Sequence, residues 1–193
     1  LERLRWRRRN GKDFAAMEIL HSTPADAIAA NAGEWWEERE IMARRLIDKG
    51  QHEGAYMLIE KHIPKEGVPY AEAEFLAGWL ALKTNKSWKA FEHFEALYNN
   101  TQTPISRARG AYWSARASDA LGHPDIARQW YQAAARYQTA YYGQAALGKL
   151  DNEYKPPQQL PPEKTVAGER KFEALAMVQA VRILNGAGFR QAT

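Results

Sequence analysis

The 193-residue chain is 45% hydrophobic and 26% charged, with seven tryptophans, an ordinary globular composition able to build a sizeable core. It lacks cysteine, which excludes disulfides, thiolate metal sites and cysteine nucleophiles, and no apolar run approaches the roughly 20 residues of a membrane helix. The net charge is +4, but residues 1–12 alone sum to +5 and the remainder to −1, so the basic character belongs to one short segment.

That segment reads "LERLRWRRRNGK". Leu1, Leu4 and the stem of Arg8 follow one helical face and leave the other arginines as a solvated side. Arginines around a tryptophan also suit phosphate neutralisation and base stacking. No nucleic-acid fold signature accompanies them, so no nucleic-acid partner is expected. An anionic cell-wall polymer would be attracted equally well.

From there on, apolar residues recur at helical spacing and β-branched runs are scarce, which predicts an all-α fold. Thr23-Pro24, Thr103-Pro104 and His123-Pro124 mark helix starts. "EWWEERE", residues 34–40, opens a helix over 35–49. Glu34, Glu37, Glu38 and Glu40 there suit the positive end of the helix dipole, Trp35 and Trp36 point to the core, and Arg44 and Arg45 add i,i+4-type support. The same acids beside aromatics could flank a glycosidic bond, but the helical spacing favours the structural reading.

Ala16, Ala55, Ala90 and Ala127 are each followed four residues later by Leu20, Ile59, Phe94 or Tyr131, and preceded by five residues by Gly11, Gly50, Asn85 or Gly122. Twelve residues before the last three stand Ala43, Gly78 and Ala115. Gly and Asn tolerate the left-handed conformation that ends a helix and turns the chain back. Small residues allow close helix approach, and the large residue fills the groove between units. The spacings of 39, 35 and 37 residues resemble degenerate tetratricopeptide repeats. That resemblance implies antiparallel helix pairs stacked into a right-handed superhelix, an α-solenoid, over residues 1–151. The aromatics Trp79, Trp88, Tyr112 and Trp113 are read as inter-helix packing.

In "TAYYGQAAL", residues 139–147, a glycine interrupts an alanine-rich helix read over 138–150, where it costs about 1 kcal/mol relative to alanine. Gly143 is expected to admit a neighbouring helix, with Tyr141 and Tyr142 anchoring the packing. "NEYKPPQQLPPEK" follows, and its prolines predict an extended linker over 152–165. Residues 166–193 read as the start of a further unit, with one helix over about 168–185 and a turn at Gly186 and Gly188. Its partner helix has no room before Thr193, so a fragment of a longer chain is expected.

No catalytic constellation stands out. The histidines at 21, 52, 62, 93 and 123 have no metal-ligand spacing and belong on helix surfaces or near helix ends. Phosphate loops, dinucleotide fingerprints and nucleophile elbows are missing. Catalytic, cofactor-binding and metal residues are therefore all expected to be none.

Most of residues 12–150, above all "TPISRARGAYWSARA", "ARQWYQAAARY" and "TAYYGQAAL", is similar to the helical region of soluble lytic murein transglycosylases. The resemblance implies a periplasmic, superhelical scaffold against which a lysozyme-like catalytic domain of the same polypeptide sits. The family cleaves the bond between N-acetylmuramic acid and N-acetylglucosamine in peptidoglycan, leaving 1,6-anhydro ends, with one glutamate of a Glu-Ser motif. Here the five serines follow His21, Lys86, Ile105, Trp113 and Ala117, so no Glu-Ser exists and no catalytic residue carries over. The expected role is a non-catalytic scaffold that meets peptidoglycan glycan strands, with Tyr141, Tyr142, Gly143 and Gln144 as a scaffold or domain interface. A free-standing tetratricopeptide-like adaptor gripping a protein segment is the alternative.

Overall fold

The structure is a computed structural model describing residues 1–61, 63–150, 154–155 and 166–187. Twelve helices and no strand occur among these residues, so the chain is all-α, as its periodicity predicts. It divides into two compact units, Leu1–Pro156 and Pro157–Thr193.

The first unit is a succession of helix pairs. α1 (Glu2–Arg9) runs into α2 (Asp13–Ser22), and a short α3 (Ala25–Ala29) leads to α4 (Ala32–Asp48) and α5 (His52–Ile59). α6 (Gly67–Lys83) pairs with α7 (Ser87–Asn99), and α8 (Pro104–Ala120) with α9 (Pro124–Ala135), before α10 (Tyr141–Leu147). Thr103 caps α8 by accepting a hydrogen bond from the Ser106 amide at 3.2 Å, with Pro104 as the first helical residue. Thr23-Pro24 is shifted from the expected register, since Thr23 closes α2 by donating to the Ile19 carbonyl at 2.6 Å.

The four pairs are closed by one turn used four times. Gly11, Gly50, Asn85 and Gly122 have φ of 69°, 72°, 58° and 76°. The next amide in each case bonds five residues back: Lys12 to Arg7, Gln51 to Leu46, Lys86 to Ala81 and His123 to Ser118, at 2.8–3.0 Å. This is the left-handed helix stop that satisfies carbonyls of the outgoing helix. Each following helix opens two residues after the left-handed residue. A repeat read from residue types thus corresponds to a repeated backbone conformation.

The side chains of the repeat are internal. Ala16, Ala55, Ala90 and Ala127 are buried, and so are Leu20, Ile59, Phe94 and Tyr131. Gly78 shows why a small residue recurs there: a Cβ would stand 2.5 Å from the Phe94 ring. At Gly110 the backbone of α8 lies against that of α7, where a Cβ would lie 2.8 Å from the Tyr98 amide nitrogen. Buried residues of α1, α2 and α4–α7, with Ala117, form one apolar cluster, and those of α8–α10 with Leu150 form another. Partly buried Trp113 packs against both.

Two helix expectations are corrected. The segment 138–150 is not one helix, because the chain leaves α9 at Arg136 and runs extended at Ala140 (ψ 142°) before α10 begins. The helix expected over 168–185 is two, α11 (Val166–Glu173) and α12 (Ala176–Gly186), broken at Leu175 with extended backbone (ψ 129°). The Gln179 amide and Arg182 guanidinium both bond Glu173 across that break, at 2.7 and 2.9 Å. Most of the expected linker over 152–165, and Gly188, lie outside the described residues. Tyr154 is described, and its hydroxyl donates to the Gln132 carbonyl at 3.2 Å, returning to α9.

Candidate functional site

Gly143 sits in the first turn of α10 rather than in the middle of a helix, so its propensity cost is smaller than the sequence implies. Its backbone lies on the end of α9. A Cβ here would collide with the Tyr137 carbonyl oxygen, and would stand 2.7 Å from that carbonyl carbon and 3.1 Å from the Ala134 oxygen. Main chain cannot move aside as a flexible side chain would, so only glycine fits.

The neighbours of Gly143 split into two kinds. Tyr142 is half-buried, with its ring 5.3 Å from Tyr112 and 6.4 Å from Trp113. Tyr141 is 75% exposed and touches Tyr142 edge-on at 5.1 Å, so it does not anchor the core as expected. Gln144 is exposed and donates to the Gln138 carbonyl at 3.1 Å, bracing the turn that precedes α10. Tyr142 and Gly143 therefore hold the helix, while Tyr141 and Gln144 remain available at its surface.

The basic N-terminal segment is spent differently from the expectation. Arg5 leaves the expected solvated side and, with Arg8 from the inner face, reaches the buried carboxylate of Glu38 on α4. Arg8 bonds it with Nε at 2.6 Å and Nη2 at 3.1 Å, and Arg5 with Nε at 3.1 Å. Arg5 also holds Glu34 at 2.7 Å and Glu2 at 3.1 Å. Burial pushes the Glu38 carboxyl up, but the hydrogen bonds and charges of Arg8 and Arg5 outweigh it and hold the net value below the usual carboxylate range. The acidic run is thus a clamp site on α1. Only Glu34 lies in the first turn of α4, where the dipole argument applies.

Further pins join the same helices. Arg45 bonds Asp13 on α2 at 2.6 Å and the Arg8 carbonyl at 3.1 Å, instead of supporting its own helix, while Arg44 makes the expected i,i+4 pair with Glu40 at 2.6 Å. Lys49 takes the second Asp13 oxygen at 2.8 Å. The Lys49 bond, then that of Arg45, hold the Asp13 carboxyl below its usual range despite desolvation. Arg39 donates to the last-turn carbonyls Leu20 of α2 and Leu58 of α5, at 3.4 and 3.2 Å. Pairs 30 to 40 residues apart leave no local pattern, which is why sequence spacing misses them.

Among the histidines, His93 departs from the surface expectation. Its Nδ1 is 2.7 Å from the buried Glu74 carboxylate, next to Tyr70, whose hydroxyl accepts from Asn100 at 3.0 Å. Burial, then the Glu74 charge, pushes the Tyr70 phenol up. His52 lies edge-on to Trp79 at 5.9 Å, His21 and His123 are exposed, and His62 lies outside the described residues. No group of three potential metal-ligating side chains occurs among the described residues.

Tyr112 is buried and Trp79 and Trp113 half-buried, in line with packing roles, but Trp88 is 58% exposed and stacks on Phe91, ring to ring at 5.7 Å. Phe91 meets Trp130 at 6.0 Å and Trp130 meets Tyr98 at 5.2 Å, a line of rings from α7 to α9. A feature with no local sequence signal is a cleft of about 1050 Å³ between α1, α2, α4 and α5. Its walls include Met17, Met42 and Leu46, with Arg3, Arg7 and Lys49 among its polar residues.

Comparison with family models, with curated proteins and with solved structures finds no match. No described helix is long and apolar enough to cross a membrane.

Proposed function

We propose that the helical pairs of residues 1–151 stack as a tetratricopeptide-like, right-handed superhelix and serve as the non-catalytic scaffold of a periplasmic soluble lytic murein transglycosylase. In this reading the scaffold bears on peptidoglycan glycan strands and on a catalytic domain of the same polypeptide. The observation that carries it is the fourfold left-handed turn at Gly11, Gly50, Asn85 and Gly122, which makes the helix pairs equivalent units in one chain. "TAYYGQAAL", the most specific piece of the resemblance, is where glycine seats the last of these helices on α9. The chain has no Glu-Ser, so glycan cleavage is assigned to sequence other than this.

The test is incubation of the chain with purified sacculi. Co-sedimentation without release of 1,6-anhydro muropeptides is the expected result; release of such products by this chain alone, or no retention on sacculi, overturns the reading. The adaptor reading is favoured by a separate observation, the open cleft beside α2.

A further inference from the structure

The cleft between α1, α2, α4 and α5 has the features of a built docking groove. Beside it the first helix pair joins the second through a shared apolar core, Leu4, Ala16 and Leu20 with Met42, and through the Arg5–Arg8–Glu38 and Arg45–Asp13 ion pairs. At about 1050 Å³ it is slightly above the roughly 300–1,000 Å³ typical of sites that enclose drug-sized ligands. Met17, Ile19, Met42 and Leu46 give it an apolar lining, and Phe14 stands on its rim 81% exposed. Beside that apolar lining, the Phe14 ring offers a partner a large apolar surface.

Charge narrows the occupant. Arg3, Arg7, Arg45 and Lys49 line the cleft against Asp13 and Glu18. Both Asp13 oxygens are already engaged, by Arg45 and Lys49, whereas Arg3 is exposed and makes no ion pair with a described residue. The surplus is therefore positive and calls for carboxylates. The described residues contain no strand whose edge could add an extended peptide, and the walls are helices, whose grooves accept a further helix.

We propose that this cleft docks an acidic amphipathic helix of a partner protein, its apolar stripe on Phe14, Met17 and Leu46 and its carboxylates toward Arg3 and Arg7. The inference does not rest on the peptidoglycan reading.

The test uses the full chain and a fluorescent synthetic helix with leucines on one face and glutamates elsewhere, beside a counterpart with every glutamate replaced by lysine. Saturable anisotropy for the acidic peptide and none for the basic one is expected. Phe14→Ala and Arg3→Glu, both exposed positions, should each weaken binding about tenfold with unchanged far-ultraviolet circular dichroism and melting, while Trp88→Ala on α7 should leave binding unaltered. Equal binding of the lysine peptide, insensitivity to Phe14→Ala and Arg3→Glu, or binding of phosphatidylglycerol vesicles in place of the peptide overturns the proposal. Sacculus retention untouched by Phe14→Ala would separate its outcome from that of the scaffold reading.

Discussion

Around Glu38 the first two helix pairs add charge to a shared apolar core, with two guanidinium groups on one buried carboxylate and Asp13 shared by Arg45 and Lys49. From Gly78 onward the pairs meet by contact: glycines at 78, 110 and 143 stand where a Cβ would strike a ring or a backbone, and aromatic rings fill what remains. The difference has a mechanical meaning. Apolar close packing is continuous and intolerant of added volume. Ion-paired contact bridges gaps, loses its strength when one partner is removed or neutralised, and here leaves a cleft beside it.

The largest expected effect breaks the packed side. Gly143→Leu should destabilise the chain by about 3 kcal/mol or more, because the obstruction is main chain; a melting temperature within a degree or two of wild type would refute the close-approach account. On the charged side, Glu38→Ala should cost about 3 kcal/mol by leaving Arg8 without a carboxylate while Arg5 keeps Glu34 and Glu2, and the loss should be local. Amide exchange should accelerate in residues 1–22 and remain slow in 104–147; uniform acceleration would mean the two regions are one cooperative block.

Acid sharpens the same contrast. Glu38 and Asp13 are held below their ordinary values of 4.5 and 3.8, so their contribution is full above those values and disappears as pH falls through the lower folded ones. Protection factors measured between about pH 7 and about pH 3 should fall first in residues 1–22; earlier loss in 104–147 would reverse the assignment. A smaller effect concerns Gly78. Gly78→Ala should cost about 1–3 kcal/mol by overpacking against Phe94, and Phe94→Leu in the same chain should cost less than in wild type; strictly additive melting data would remove this pairing. Smallest of all, Gly122→Ala should cost about 1 kcal/mol through its left-handed backbone alone, since nothing crowds its Cβ, whereas Gly33→Ala inside α4 should gain several tenths.

Much of the fold was legible in residue types because its causes are local. A left-handed stop needs Gly or Asn, and an alanine followed four residues on by a large apolar residue marks one buried stripe, so the helix pairs and their turns could be read in order. At Gly143 the close approach was foreseeable but its partner was not, since the turn from Arg136 to Ala140 that brings Tyr137 against it has no strong breaker residue. The break at Leu175 is equally silent in sequence.

The sequence by itself determined the all-helical class, the period and the left-handed turns, all consequences of short-range sterics and hydrophobic spacing. Only the tertiary structure decided which arginines of "RLRWRRR" are spent on Glu38, that Trp88 faces outward, that His93 meets Glu74, and that a cleft opens beside Phe14. Those are pairings between residues far apart in the chain, set by how helices seat on one another, and linear spacing carries no record of them.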